Sequence, residues 1–150
     1  DSSQSRGLGD VYKRQGGLDT VGIFSERPII IDNLVEGDSY FLSVVARNSL
    51  GSSEPTEMLG VIPSNNDVKT LVVNGFDRVN GTNNTFDFIR QHGSALHAHN
   101  FSFDAASNEA VINQQINLLD YQFVDWILGE EGTSTSVYFH IVNKIKLLNI

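Results

Sequence analysis

The sequence predicts two joined pieces of different fold class, a partial β-sandwich followed by a partial α/β domain. Over residues 40–47 one face of a strand would hold only apolar side chains, from Tyr40 to Ala46, whereas the other face would include Ser43 and Arg47, a period-two pattern typical of an antiparallel strand with one buried face. Largely apolar runs at residues 71–73 and 123–128 instead suit strands that are buried on both faces. The residue pattern changes at a polar cluster, residues 63–67, which indicates a domain boundary.

The sandwich piece is predicted to continue on both sides of this alternating strand. Residues 17–24 are the remnant of an earlier strand, residues 29–31 form a β-branched strand that ends in a turn, and residues 57–62 form the last strand.

A tyrosine follows the glycine turn that opens the alternating strand. Tyr40 comes three residues after Gly37, where sandwich domains place a tyrosine whose ring packs in the core while its hydroxyl reaches back to the backbone. We therefore expect Tyr40 to be buried, with its hydroxyl bonded to the turn at residues 32–37.

The spacing of this segment resembles the last two strands of a fibronectin type III domain. The resemblance covers residues 16–63, which is shorter than the usual extent of about 100 residues for such sandwiches, so we expect the front strands to be missing. The resemblance implies a spacer or interaction module and does not identify a catalytic activity. The residues that carry it, with structural roles, are Leu34, Gly37, Tyr40, Val44, Ala46, Asn48, Gly51 and Pro55.

The two ends of the chain differ from the rest. Residues 1–15 show no sustained periodicity and resemble a translated sequencing adapter of the kind found on unrelated metagenomic reading frames, so we expect them to be disordered. A natural polar linker is the alternative. Residues 140–150 are dominated by Ile, Lys, Leu and Asn, and they represent either an out-of-frame end or an authentic helix with an apolar stripe.

The second piece is predicted to span residues 69–150, after a linker at residues 64–68. Ser107 and Glu109 suit the first turn of a helix. The sequence separations between the predicted strands and helices of this piece suggest a βαβ arrangement with a parallel sheet. The expected order is strand, helix, helix, strand, near residues 68–73, 85–96, 107–115 and 121–128.

This second piece resembles a domain that follows fibronectin type III modules in large secreted proteins of Bacteroidota, some of them labelled xanthan lyase-like or amidase-like. The resemblance implies a flavodoxin-like or glutamine-amidotransferase-like α/β fold and an extracellular, cell-surface or periplasmic location. It rests on residues 71–78, 88–93, 104–111 and 124–131.

Composition argues against several classes of function. The formal net charge is −8 and no Lys/Arg stripe exists to neutralise phosphates, so we expect no nucleic-acid partner. The sequence contains no apolar run of the length that spans a bilayer and no cysteine. His92, His97 and His99 lack the spacing of a zinc motif, and no phosphate loop is present, so we predict no metal and no cofactor.

The best candidates for ligand contact follow the two buried strands. Asn74, Gly75, Asp77 and Arg78 lie just past the first of them, where open α/β sheets bind ligands, and Glu130 lies past the second. A tight turn in which Gly75 supplies backbone freedom is the structural alternative.

The sequence thus favours a fragment of a secreted or cell-surface bacterial multidomain protein, a spacer module joined to an α/β domain of unknown activity. A glycan or a cell-surface protein is the expected partner. The alternative is a hydrolase or lyase acting on polysaccharide or peptidoglycan.

Overall fold

The chain forms a mixed β-sheet with few helices over the residues that the computed structural model describes, which are 9–14, 18–65, 69–75 and 88–128. In chain order the elements are β1 (Gly9–Arg14), β2 (Leu18–Phe24), β3 (Tyr40–Asn48), β4 (Gly51–Ser52), β5 (Leu59–Ile62), β6 (Thr70–Asn74), α1 (Phe88–Ala98), β7 (Phe103–Ser107), α2 (Asn108–Ile112), a 3-10 turn (Leu118–Asp120) and β8 (Phe123–Ile127).

The sheet changes from antiparallel to parallel along its width. Its strand order is β2-β1-β3-β5-β7-β6-β8, with the short β4 paired to β3. The pairings from β2 across to β7 are antiparallel, whereas β6 pairs in parallel with both β7 and β8. The sheet-rich character that the sequence predicts is therefore present.

The parallel part has helices on both faces. Leu71, Val72 and Val73 of the central strand β6 have no solvent exposure, as the apolar run predicts. Ile89 of α1 packs against the face that holds Val72, and Val111 of α2 packs against the face that holds Leu71 and Val73. The predicted order strand, helix, helix, strand is wrong in one respect, because the strand β7 lies between the two helices.

A strand also forms where the sequence predicts disorder. Gly9–Arg14 lies between β2 and β3, in a register that runs from Gly9 beside Ala46 to Lys13 beside Leu42. Main-chain hydrogen bonds to two neighbours hold such a strand without the apolar alternation on which the prediction relies. The other residues of the 1–15 segment lie outside the described ranges.

The β-branched residues 29–31 do not form the expected strand. They belong to an irregular stretch, and Ile30 is 66% exposed. β-branched residues favour a strand when a neighbour pairs with them, and none of the described strands runs beside this stretch.

One hydrophobic core joins the two predicted pieces. A Cβ on Gly93 of α1 would lie 2.6 Å from Phe103 Cζ, so a glycine is needed for the ring to fit under the helix. β5 pairs with β7 directly, Ile62 beside Phe103. Elements on both sides of residues 64–68, where the sequence places a linker, therefore share one sheet and one core. The buried members of this core are Phe41, Ile62, Val72, Ile89, Phe103 and Ile127.

Candidate functional site

The turn before β3 has the geometry expected around Tyr40. Tyr40 is 4% exposed, and its hydroxyl accepts a hydrogen bond of 2.9 Å from the Val35 N–H. Gly37 has a φ of 83°, a conformation that favours glycine, and its N–H donates to the Pro63 carbonyl over 3.0 Å. Leu34 is half-buried beside this turn. These contacts are structural, and they fix the entry into β3.

The end of β3 is a polar turn. The Asn48 side-chain oxygen accepts from the N–H groups of Leu50 and Gly51, at 2.8 and 3.1 Å. This is the local side chain to backbone bonding for which asparagine is favoured in turns. Pro55 lies exposed in the connection that follows β4.

The face of β3 that holds Tyr40, Val44 and Ala46 is only partly buried. Val44 is half-buried and Ala46 is exposed, whereas Phe41, Ser43 and Val45 on the opposite face are buried. Near the start of β3 this opposite face is buried because Phe41 packs in the shared core under α1.

The carboxyl ends of β6, β7 and β8 meet at one edge of the sheet, which we call the crevice edge. Asn74 ends β6 and lies beside Ser107 of β7 and Ile127 of β8. The Gly75 N–H donates to the Ile127 carbonyl over 2.9 Å. The first residues after the two strands, Gly75 after β6 and Leu128 after β8, therefore lie at the same edge.

Asn74 carries an unusual hydrogen-bond pattern. Its side chain sits in a residue only 2% exposed, and its amide nitrogen donates to Glu57 Oε2 over 2.5 Å. Because a carboxylate only accepts hydrogen bonds, this contact fixes the orientation of the amide group. The amide oxygen Oδ1 is buried and has no hydrogen-bond partner among the described residues. A buried acceptor of this kind is rare and calls for a donor.

Gly75 serves close packing rather than turn flexibility. A Cβ at this position would lie 2.5 Å from Trp126 Nε1 and 2.9 Å from the Ile127 carbonyl oxygen. The neighbouring main chain cannot give way to it. The charged candidates that the sequence singles out, Asp77, Arg78 and Glu130, lie outside the described residues.

α2 begins at the crevice edge with the predicted cap. The Ser107 hydroxyl accepts from the Ala110 N–H over 3.2 Å, and Glu109 lies in the first turn. Asn108, next to the cap, is 4% exposed. With Asn74 and Glu57 this makes a polar, largely buried edge next to the central strand.

Sequence reasoning missed a second polar pair, His92 on α1 and Asp125 on β8. His92 Nδ1 lies 2.6 Å from Asp125 Oδ2, and both side chains are partly exposed. They are 33 residues apart in the sequence, so no local motif marks them. Their proximity could be anticipated only from the topology, because β8 pairs with β6 and lies under α1, the helix that follows β6.

One tyrosine on the α2 face is electrostatically perturbed. The Tyr121 hydroxyl donates to Asp104 Oδ2 over 3.1 Å. Burial, the Asp104 charge and this hydrogen bond together raise the pKa of Tyr121 to about 12.

Two further properties concern the described residues alone. No group of three or more His, Asp or Glu side chains there is arranged to hold a metal ion. No helix in that part of the chain is long and apolar enough to cross a membrane.

The fold and this edge define a mixed β-sheet protein with polar side chains at the carboxyl ends of its parallel strands. In comparisons with known proteins, no family model matches the chain, and neither a curated protein nor a solved structure does.

Proposed function

We propose that the chain is part of a secreted or cell-surface bacterial protein in which a fibronectin type III-like module supports an α/β domain that binds a glycan. The strand order β2-β1-β3-β5 supports the first part, because it is the order of a C′-C-F-G sheet in a sandwich. The Tyr40 hydrogen bond to the Val35 N–H supports it as well.

Strand order also supports a flavodoxin-like second part. β7-β6-β8 is the order 2-1-3, and helices α1 and α2 cover opposite faces. In such sheets the order reverses next to the first strand, and ligands bind in the crevice outside the carboxyl ends there. β6 is that first strand, and Asn74 ends it.

The buried Asn74 Oδ1, which has no hydrogen-bond partner within the part of the chain that the structure describes, is the observation that carries the ligand proposal. An amide oxygen needs a donor, and a sugar presents several hydroxyl donors in a small volume. The Glu57 carboxylate accepts from the Asn74 amide nitrogen and so keeps the amide oxygen turned away from Glu57. The acidic net charge of −8 favours a neutral glycan over an anionic one.

Substitution of Asn74 tests this proposal. With a panel of neutral oligosaccharides, we expect Asn74→Ala to weaken binding about tenfold, the effect of leaving one ligand hydroxyl unpaired. Glu57→Gln is the matched control, because a glutamine oxygen still accepts from the Asn74 amide nitrogen. If Asn74→Ala leaves affinity intact and only lowers the urea midpoint, Asn74 is a structural residue and the proposal fails.

A further inference from the structure

A cavity lies beside α1, away from the crevice edge. It has a volume of about 450 Å³ and opens to solvent between the helix, the chain that follows the helix and β8. Its polar lining includes Gln91, His92, His99 and Asp125, and its apolar lining includes Leu96 and Phe101.

The polar wall presents an oriented hydrogen-bond acceptor. Asp125 Oδ2 lies 2.6 Å from His92 Nδ1, and an ionised carboxylate can only accept. In the neutral imidazole, Nδ1 therefore carries the proton, and Nε2 carries the lone pair. Asp125 also holds the ring plane, since it sits on a strand whose next alternate residue, Ile127, is buried in the core.

The apolar wall is built by the end of α1. Asn100 has a φ of 59°, its N–H donates to the His97 carbonyl, and the Phe101 N–H donates to the Leu96 carbonyl over 2.9 Å. This is the Schellman arrangement, in which the residue after the left-handed position packs against the last helical turn. It places Phe101, 47% exposed, beside Leu96 on the cavity wall.

We propose that this cavity binds a neutral sugar ring, with Phe101 under the C–H face of the ring and His92 Nε2 accepting from a ring hydroxyl. A sugar ring has one apolar C–H face and a rim of hydroxyl donors, and the cavity has one aromatic wall and one acceptor wall. The volume accommodates a single ring. Asp125 is a positioning residue that fixes which imidazole nitrogen faces the sugar.

This site is independent of the crevice edge, because neither Asn74 nor Glu57 lines the cavity. The test of this site therefore measures His92 and Phe101. A negative result there would leave the outcome of the Asn74 experiment unaffected.

The experiment is a titration of the ¹⁵N-labelled 150-residue chain with methyl glucopyranoside, followed through the imidazole nitrogens and the Phe101 ring protons. Before ligand is added, the His92 spectrum should show the tautomer protonated at Nδ1. We expect the sugar to shift His92 Nε2 and the Phe101 ring with a dissociation constant of about 1 mM, as suits a small ligand in an open site.

Four variants separate the possible outcomes. His92→Ala and Phe101→Ser should each weaken the sugar about fivefold or more, and Phe101 is exposed enough that its replacement leaves the fold in place. Asp125→Asn should weaken it and change the His92 tautomer mixture, which a purely structural role would not do. His97→Ala, on the same helix but outside the cavity, should bind as the parent does.

Three results would overturn the proposal. The first is the absence of shifts at His92 and Phe101. The second is sugar binding that survives both His92→Ala and Phe101→Ser. The third is binding of 4-methylphenol without binding of the sugar, which would make the cavity a site for apolar aromatic rings.

Discussion

Tyr40 contributes to the fold through a single oriented hydroxyl. The ring is 4% exposed, and the hydroxyl accepts from the Val35 N–H near a turn that bonds onward to Pro63. From the position of Tyr40 three residues after Gly37, the sequence predicts the burial of the ring and a bond from its hydroxyl to the turn at residues 32–37. The structure adds that the backbone partner is a donor.

Tyr40→Phe should therefore lower the free energy of unfolding by about 1 kcal/mol, because the half-buried Val35 N–H loses its acceptor. The urea midpoint measures the effect. Tyr121→Phe at neutral pH is the matched control, since it deletes a hydroxyl whose bond to Asp104 is exposed. Equal, negligible changes in both variants would show that the Tyr40 bond stabilises nothing.

Tyr121 gives the chain an alkaline sensitivity. Its pKa is raised from 10.0 to about 12, so the folded state holds the phenol proton more tightly than the unfolded state does. The resulting stabilisation is complete below pH 10 and is lost as the pH rises from 10 to about 12.

Relative to Tyr121→Phe, the parent chain should lose stability across that pH window, and phenolate absorbance should show one tyrosine titrating late. Asp104→Asn should shift this late titration to lower pH, because it removes the nearby negative charge. A late titration that persists unchanged in Tyr121→Phe would assign it to another tyrosine.

At the scale of elements, the end of α1 is fixed by one left-handed residue. Asn100 has a φ of 59°, which costs a residue with a Cβ about 1–2 kcal/mol unless its side chain compensates. We expect Asn100→Ala to destabilise the chain by about 1 kcal/mol and Asn100→Gly to be neutral or stabilising. Urea midpoints of the two variants test this, and an alanine variant as stable as the glycine variant would contradict it.

The sequence predicts an element correctly where a local feature of that element's own residues marks it. The apolar run of β6 and the Ser107 cap of α2 are local features, and both appear as expected. β7 is absent from the predicted element order because its sequence, Phe-Asp-Ala-Ala-Ser, has no β-branched residue. It forms a strand because β5 and β6 pair with its two edges.

The candidate sites divide in the same way. The meeting of the strand ends at the crevice edge follows from parallel topology, and so the sequence could place Asn74 and Gly75 there. The bond from Asn74 to Glu57 and the His92–Asp125 pair depend on tertiary packing between distant segments. A single sequence holds no local trace of such contacts.

At the scale of the whole molecule, two phenylalanine rings occupy space left by two glycines. A Cβ on Gly93 would lie 2.6 Å from Phe103 Cζ and 3.0 Å from Phe41 Cε1, and a Cβ on Gly60 would lie 2.9 Å from Phe41. These rings come from the two different predicted pieces, so their packing couples the antiparallel and parallel halves of the sheet.

Gly93→Ala should destabilise both halves together by about 1–3 kcal/mol, because the clash with buried rings exceeds the gain of about 1 kcal/mol in helix propensity. Amide exchange should show protection falling in β3 and in β6 alike. Ser94→Ala, at an exposed position of the same helix, is the control and should not destabilise. Loss of protection confined to β6 would mean that the halves unfold separately.

The shared core also determines how the chain can be dissected. The linker predicted at residues 64–68 looks like the natural place to cut, because it overlaps the polar cluster at residues 63–67, which lacks periodicity. A cut there that discards the first part would strip Phe103 of Phe41 and Ile62, and would take Glu57 away from Asn74. The excised α/β part would then expose core residues and lack the Glu57 contact to Asn74, so ligand measurements on it would describe a different molecule.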